Sequence, residues 1–189
     1  YHLNLLPEDL ANTVITVGDP DRVAKVSAHF DRIELKKGKR EFITHTGYLG
    51  NKRLTVISTG IGTDNIDIVL NELDALANID FASRTVKSAL TSLDIIRIGT
   101  SGAVQQDVEM GTILASSYGI GLDALMNYYK AAYDDEEKGL QAELDKYFSA
   151  LNLQPYVAKG SRSLQEQIAF DLPKGITLTA PGFYAPQGR

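Results

Sequence analysis

Two arginines and the glycines beside them are the residues of this chain best suited to chemistry. Arg22 follows Gly18 by four residues, and Arg97 precedes Gly99 by two. A guanidinium group can bind two phosphate oxygens at once, and the N–H groups of glycine turns and helix N-termini hold anions without a metal. These residues therefore predict a site for an oxyanion such as phosphate.

The prediction of an oxyanion site rests more on Arg97 than on Arg22. A surface arginine most often pairs with a nearby carboxylate, which is the alternative interpretation for both residues. Arg97, however, stands within the otherwise apolar segment 94–98. Because a charge is seldom tolerated in an apolar strand without a partner or a ligand, the sequence predicts a purpose for Arg97.

Composition and motifs exclude several other kinds of site. The 189 residues have a formal net charge of -5, so neither nucleic acid nor an anionic membrane is expected as a partner. Cysteine is absent, which excludes disulfides, thiolate catalysis and cysteine-based metal sites. The chain has no Walker phosphate loop, and no Gly-x-Gly-x-x-Gly motif opens its first unit. Nucleoside triphosphate and dinucleotide sites are therefore not predicted.

The glycine turns follow segments that have the pattern of buried strands. Residues 13–17 form a β-branched run that ends at Gly18, and Pro20 then suits the first turn of a helix. Residues 94–98 form a second such strand, which leads into the turn at 99–102. Each strand thus delivers a glycine turn at its carboxyl end.

A third glycine turn follows a predicted hairpin. Residues 40–48 and 53–58 are rich in β-branched and aromatic residues and flank a Gly-Asn-Lys turn. The second strand leads into the turn 58–62, after which apolar residues recur at helical spacing with Asp64 as the expected N-cap.

The remaining segments complete an α/β pattern. The mixed polarity of residues 80–92, without a clear period, predicts a surface excursion. Strands are expected at 111–116, 154–160 and 175–180. An amphipathic helix with an acidic start is expected before 154, with its apolar positions at Leu140, Leu144, Tyr147, Phe148 and Leu151. Strands alternating with helices predict a single α/β domain over residues 1–189, whose strand ends line one crevice.

The glycine turns together resemble the signatures of a known family. The segments 18–23, 58–62 and 97–103 are similar, in order and spacing, to motifs of the nucleoside phosphorylases, and within that family to the uridine phosphorylases. His2-Leu3 at the start and Phe-Tyr-Ala-Pro-Gln-Gly-Arg at 183–189 extend the resemblance over the whole chain. It implies a mixed twisted β-sheet flanked by helices.

The resemblance implies that orthophosphate cleaves a nucleoside, giving a free base and ribose 1-phosphate without a metal or an organic cofactor. Uridine or a close pyrimidine nucleoside is the expected substrate, and the enzyme would be a pentosyltransferase. Phosphate would be bound by the Gly18 N–H group, Arg22, Arg97 and Thr100. Arg40 matches a family arginine that enters the site from a neighbouring subunit.

Other positions match the family's base and sugar contacts. Gln187 and Arg189 correspond to the residues that contact the uracil ring, with Phe183 near the base or the sugar. An amide and a guanidinium would stabilise the negative charge that develops on the leaving base. His2 matches a histidine that reaches the sugar 5′-hydroxyl across a dimer interface, and Thr100 is the other expected sugar contact.

Several features depart from the family pattern. Glu41 matches a residue associated with a monovalent cation between subunits, but Asn65 stands where a serine ligand is expected, and no other metal site is predicted. The excursion at 80–92 is longer than the usual connection. His29 and His45 are interpreted as structural or exposed.

The chain ends before the family's last strands, its final helix and a Glu-Met-Glu type motif that holds the ribose. We expect it to be a fragment of a longer protein, C-terminally incomplete. Two site residues that match contributions from a neighbour predict a homo-oligomer, either a dimer or a ring of three dimers. Because residues 1–7 lack the basic and apolar regions of a signal peptide, a cytoplasmic location is expected.

Two alternative functions stay open. One is a purine nucleoside phosphorylase or a related nucleosidase, distinguished by the base released and by whether phosphate is required. The other is a truncated, non-catalytic module that binds a nucleoside or phosphate, distinguished by binding without turnover.

Overall fold

The structure is a computed structural model that describes residues 1–151 and 153–188. Contacts between residues divide the chain into two compact units, Tyr1–Thr100 and Ser101–Arg189. Each unit contains a mixed β-sheet and helices, which confirms the predicted α/β class. The single domain over residues 1–189 stays a prediction.

The first unit is built on a five-stranded sheet. In chain order its elements are β1 (Thr13–Val17), α1 (Pro20–Ser27), β2 (Arg32–Lys39), β3 (Phe42–Leu49), β4 (Lys52–Ser58), α2 (Thr63–Asn78), β5 (Ile79–Asp80), β6 (Thr85–Val86) and β7 (Asp94–Ile98). The sheet has the order β2-β3-β4-β1-β7. β1 runs parallel to both β4 and β7, whereas β2, β3 and β4 are antiparallel. The predicted hairpin and both predicted glycine-terminated strands are confirmed.

The register of the three parallel strands decides where their turns lie. Val17, the last residue of β1, pairs with Ser58 at the end of β4 and with Ile98 at the end of β7. Because the three strands end level with one another, the three glycine turns that follow them lie along one edge of the sheet.

The sheet is covered on both faces by α1 and α2, which follow the turns after β1 and β4. α2 buries Val69 and Leu73 in a cluster with Val14 of β1, and Val23 of α1 packs with Val17 on the opposite face. Each such side chain, when fully buried, contributes about 1.5–3 kcal/mol relative to exposure. The burial of β1 on both faces holds the turn after it in place.

The two helices begin in different ways. α1 starts at Pro20 as predicted, and the Asp19 carboxylate caps it by accepting a hydrogen bond from the Asp21 N–H group at 2.9 Å. The prediction that Asp64 caps α2 is wrong, because Gly62 occupies the N-cap with a φ of 101° that favours glycine. Asp64 lies in the first turn, where its charge complements the helix dipole.

Two segments near the edges of the unit complete its description. β2 is absent from the predicted elements, because its many charged residues and its glycine, which suit an exposed edge strand, also resemble a polar loop. The predicted surface excursion is confirmed: residues 80–92 are almost all exposed, and only the two-residue strands β5 and β6 pair within this region.

The second unit contains a three-stranded sheet. Its elements in chain order are β8 (Ala115–Gly121), α3 (Asp135–Phe148), β9 (Tyr156–Lys159), α4 (Arg162–Ile168) and β10 (Lys174–Thr179). β8 is central, parallel to β10 and antiparallel to β9. The strands expected at 154–160 and 175–180 are confirmed. The strand expected at 111–116 is misplaced, since pairing with β10 begins at Ala115 and continues to Gly121.

The acidic start predicted for the long helix of this unit is confirmed. Asp134 caps α3, and its side chain and that of Glu137 each accept a hydrogen bond from the other residue's N–H group. Leu151 falls outside the helix, in a short 3-10 turn, Ser149–Leu151. In the described part of the chain, no helix combines the length and the apolar character needed to span a bilayer.

Candidate functional site

A surface cavity of about 600 Å³ opens in the first unit where β1, β4 and β7 end. Every residue that lines it comes from these strand ends, from the helices that follow, or from the β2–β3 turn: Gly18, Asp19, Pro20, Arg22, Glu41, Gly60, Ile61, Asn65, Arg97 and Thr100. The cavity therefore brings together all three glycine turns that the sequence singled out.

Two of the three predicted phosphate-binding arginines line this cavity. Arg22 lies in the first turn of α1 and is half-buried, whereas Arg97 lies on β7. Within residues 1–151 and 153–188, the arginines that form ion pairs are Arg32, Arg53 and Arg162. Among the described residues, Arg22 and Arg97 therefore do not pair with surface carboxylates, as the alternative interpretation requires.

The reasoning that singled out Arg97 needs one correction. The sequence suggests that an apolar strand surrounds the guanidinium, but Arg97 is exposed, and its neighbours Ile95 and Ile98 are 36% and 48% exposed. The physical reason is that β7 is an edge strand of the described sheet. A charge at this position carries little desolvation cost, so its placement beside the glycine turns matters more than its burial.

The side chain of Arg97 lies close to one glycine in each of two glycine turns. A Cβ atom built on Gly18 would lie 3.9 Å from Nη2 of Arg97, and one built on Gly99 would lie 3.4 Å from the same atom. The guanidinium therefore lies against backbone at the ends of β1 and β7. An anion that contacts this guanidinium also comes close to the backbone of the first glycine turn.

Carboxylates also line the cavity. Asp19 already accepts the hydrogen bond from Asp21 that caps α1, so its charge is partly satisfied. Glu41 and Asn65 meet at Gly60: a Cβ built there would lie 2.9 Å from Cγ of Glu41 and 2.5 Å from Nδ2 of Asn65. Gly60 also has a φ of 69°, which favours glycine on conformational grounds.

Two further predicted contacts of this unit, Thr100 and Arg40, differ in whether they line the cavity. Thr100 lines the cavity. Arg40 is exposed in the turn between β2 and β3, with a φ of 57°, and is not one of the described residues that line it. The cavity of this chain thus contains Gly18, Arg22, Arg97 and Thr100 but not Arg40.

His2 is held by a residue that the sequence did not single out. Nδ1 of His2 lies 2.6 Å from Oε1 of Glu72 on α2, and the same carboxylate accepts hydrogen bonds from the N–H groups of His2 and Leu3. Burial alone would raise the pKa of the Glu72 carboxyl, but the hydrogen bonds from Leu3, His2 and the Tyr1 nitrogen outweigh it and lower the pKa to about 2. Glu72 is therefore ionised at neutral pH.

The other two histidines differ from each other. His29 is exposed, whereas His45 on β3 is buried and its Nδ1 lies 2.7 Å from Oγ of Ser27 on α1. Burial, and then the charge of Lys36, lower the pKa of His45. This contact ties the helix that carries Arg22 to the sheet beneath it.

The predicted base-binding residues lie in the second unit. The Phe183 ring meets that of Tyr184 edge-to-face, with 5.6 Å between centroids, and is 63% exposed. Gln187 lies in a 3-10 turn, Ala185–Gln187, where its Nε2 donates to the Gly182 carbonyl at 3.3 Å. Arg189 lies outside the described residues.

One further polar pair of the second unit was missed. The Tyr156 hydroxyl donates to the buried Asp123 carboxylate, at 2.9 Å from Oδ2. Burial, and then this carboxylate, raise the pKa of Tyr156. No sequence pattern connects these residues, because they lie 33 positions apart and meet only through the pairing of β8 with β9.

Comparisons with known proteins agree with the geometry. A family model described as "Phosphorylase superfamily" matches residues 12–189. Uridine phosphorylase of Thermococcus kodakarensis is 29% identical over all of this chain, and purine nucleoside phosphorylase DeoD-type of Shewanella oneidensis is 30% identical over 78% of it. A solved structure of a Trypanosoma brucei nucleoside phosphorylase, described as showing uridine phosphorylase activity, superposes with a TM-score of 0.88 and 29% identity.

These matches cover most or all of this chain but only part of each relative. The chain spans 58% of the Thermococcus protein and 65% of the Shewanella protein, and all of this chain corresponds to 68% of the Trypanosoma structure. The family model nevertheless covers nearly every residue, and the nucleoside phosphorylase fold that the resemblance implies is confirmed. The chain belongs to the phosphorylase superfamily.

Proposed function

We propose that this protein cleaves a pyrimidine nucleoside with orthophosphate, and that uridine is the substrate it prefers. One observation carries the proposal: Arg22 and Arg97 line one cavity at level strand ends, beside Gly18, and neither forms an ion pair among the described residues. Two guanidinium groups beside a glycine turn are suited to a phosphate dianion.

The reaction needs a positioned nucleophile more than it needs a strong one. A phosphate oxygen forms a bond to the anomeric carbon while the glycosidic C–N bond breaks, and the bonding electron pair leaves with the base. Holding the dianion beneath the sugar removes much of the entropic cost of bringing the reactants together. In this proposal Arg22, Arg97, Thr100 and the Gly18 N–H group hold it, so no cofactor is required.

The base is stabilised as it leaves. Negative charge develops on uracil in the transition state, and groups that bind this charge more strongly than the neutral base lower the barrier. Gln187 and Arg189 are proposed for this role and Phe183 for contact with the base or the sugar. Their assignment rests on the sequence motif at 183–189.

Two residues are proposed to act on a neighbouring subunit. Arg40 is exposed outside the cavity of its own chain, as a residue that serves an adjacent site would be. His2 is bound to Glu72, which lies ten residues after the N-cap Gly62 of α2, or about 15 Å along a helix axis. In this proposal the protein acts as a dimer or as a ring of three dimers, and its proposed location is the cytoplasm.

The alternative with an observation in its favour is a purine nucleoside phosphorylase, because the Shewanella relative carries that name at 30% identity. A site that hydrogen-bonds one base can reject another by a factor of about 10⁴. The test is to measure release of uracil from uridine and of hypoxanthine from inosine by the protein as encoded, with and without phosphate.

We expect phosphate-dependent cleavage of uridine that far exceeds cleavage of inosine. Gln187→Ala should reduce that preference, while Gln167→Ala, an exposed glutamine on α4, should leave it unchanged. Equal rates on both nucleosides would contradict the pyrimidine assignment. Turnover without phosphate would instead indicate a hydrolase, and binding without turnover would indicate a non-catalytic module.

A further inference from the structure

Glu72 gathers more hydrogen bonds than a surface glutamate ordinarily does. Its carboxylate accepts from the backbone nitrogens of Tyr1, His2 and Leu3 at 2.9–3.1 Å, and from the His2 ring at 2.6 Å. Leu3 is 1% exposed and belongs to the main core cluster. The segment that carries His2 is thus fixed on one side by apolar burial and on the other by a single carboxylate.

This arrangement decides which nitrogen of His2 carries a proton. An ionised carboxylate can only accept hydrogen bonds, and Glu72 is ionised at neutral pH. Nδ1 of His2 must therefore donate, and in a neutral imidazole Nε2 is then an acceptor. The hydrogen bond to Glu72 thus sets both the orientation of the His2 ring and its tautomer.

We propose that Glu72 is a positioning residue that presents Nε2 of His2 to a hydroxyl group of a nucleoside bound by an adjacent subunit. The inference rests on the proposed function, in which His2 contacts the sugar 5′-hydroxyl. A hydroxyl donates well to an unprotonated Nε2. The Glu72 carboxylate, bound to Nδ1 on the other side of the ring, makes Nε2 a stronger hydrogen-bond acceptor. His2 keeps a side-chain exposure of 30%, which leaves its ring accessible.

A purely structural role for Glu72 makes a different prediction. If the carboxylate serves only to hold the chain near Leu3 on α2, its loss affects every substrate alike. If it positions the His2 ring, its loss affects substrates that carry the 5′-hydroxyl and spares those that lack it. Uridine and 5′-deoxyuridine form the pair of substrates that separates the two roles.

The kinetic test compares kcat/KM for both substrates in the protein as encoded. We expect His2→Ala and Glu72→Gln each to lower the value for uridine about tenfold, the loss of a strong hydrogen bond, and to change the value for 5′-deoxyuridine by less than about twofold. Asp74→Asn, an exposed carboxylate on the same helix, should change neither. Equal losses on both substrates, or no loss in Glu72→Gln, would overturn the proposal.

A second measurement does not depend on activity. Nitrogen-15 NMR of the ring should show His2 with the proton on Nδ1 in the wild-type protein, and a changed tautomer population in Glu72→Gln. If Glu72→Gln fails to fold, Glu72→Asp keeps the charge but shortens the side chain and serves as the variant. A proton on Nε2 in the wild type would overturn the proposal. Absence of any uridine cleavage would contradict the proposed function alone, and the ring tautomer would still test the Glu72–His2 contact.

Discussion

The guanidinium of Arg97 on β7 lies against the backbone of Gly18 at the end of β1, with Nη2 3.9 Å from the position that a Cβ on Gly18 would occupy. The two residues are 79 positions apart (97 − 18) and meet because Val17 and Ile98 are partners in parallel strands. This contact places a positive charge beside a glycine turn, which is the central requirement of the proposed phosphate site.

Phosphate binding should therefore depend on Arg97. Replacing it with alanine removes a charge-assisted contact, and we expect the binding free energy of inorganic phosphate to weaken by about 1.5–3 kcal/mol. Lys25→Ala removes a charge from the exposed side of α1 and should leave the affinity nearly unchanged. Isothermal titration calorimetry of both variants measures the difference. Wild-type phosphate affinity in a folded Arg97→Ala protein would refute the assignment.

Gly60 should tolerate a side chain less well than Gly50 does. Both have a positive φ, 69° and 56°, but only at Gly60 would a Cβ meet other atoms, those of Asn65 and Glu41. Gly50→Ala should lower the free energy of unfolding by about 1–2 kcal/mol through conformational strain alone. Gly60→Ala should lower it further and also weaken phosphate binding.

Comparing the alanine variants at Gly60 and Gly50 separates the effect of backbone strain from the effect of contacts between the added Cβ and neighbouring side chains. Urea denaturation gives the stability of each variant, and calorimetry gives its phosphate affinity. Gly50→Ala lies away from the cavity and should bind phosphate as the wild type does. Equal losses of stability in the two variants would show that the contacts around Gly60 do not matter.

Arg40 and Arg97 should complement each other across a dimer. If Arg40 serves the neighbouring site, Arg40→Ala and Arg97→Ala proteins are each inactive, but a mixed dimer has one site with both arginines. Random mixing in a symmetric dimer makes about a quarter of all sites intact. Mixing Arg97→Ala with Arg22→Ala should restore no activity, because both residues line the cavity of one chain. No rescue in confirmed mixed dimers would show that Arg40 serves its own chain.

The burial of His45 should make the free energy of unfolding depend on pH. Burial, and then Lys36, lower the pKa of His45 from its ordinary value of 6.5. As the pH falls through about 6.5, the unfolded chain takes up a proton that the folded protein does not, so the free energy of unfolding decreases. The decrease ends only once the pH is below the pKa of the folded state.

Urea denaturation at about pH 7.5 and about pH 5.5 measures this effect. The wild type should be less stable at the lower pH, and His45→Gln should show a smaller difference between the two. His29→Gln, at an exposed histidine, should keep the wild-type difference. The same pH dependence in His45→Gln and in the wild type would assign the effect to other groups.

Local patterns allowed much of the fold to be predicted. The strand–glycine–proline sequence at 13–20, the hairpin around Gly50 and the acidic cap at Asp134 each involve residues within a few positions of one another. These signals are local, because turn conformations and helix caps depend mainly on adjacent backbone. The presence of an anion site could be predicted for the same reason, from glycine turns and nearby arginines.

Other features depended on contacts that no local pattern encodes. The level ending of β1, β4 and β7 comes from strand register, and Glu72 meets His2 from 70 positions away. The edge position of β7 leaves Arg97 exposed, although its apolar neighbours suggest a buried strand.

Local patterns thus predicted most of the strands, turns and helices, together with the residue chemistry of the candidate site. Tertiary contacts set which of those residues share a cavity, which charge is exposed and which carboxylate holds His2. Backbone preferences and side-chain chemistry act over a few residues, whereas register, burial and non-local hydrogen bonds exist only once distant segments pack together.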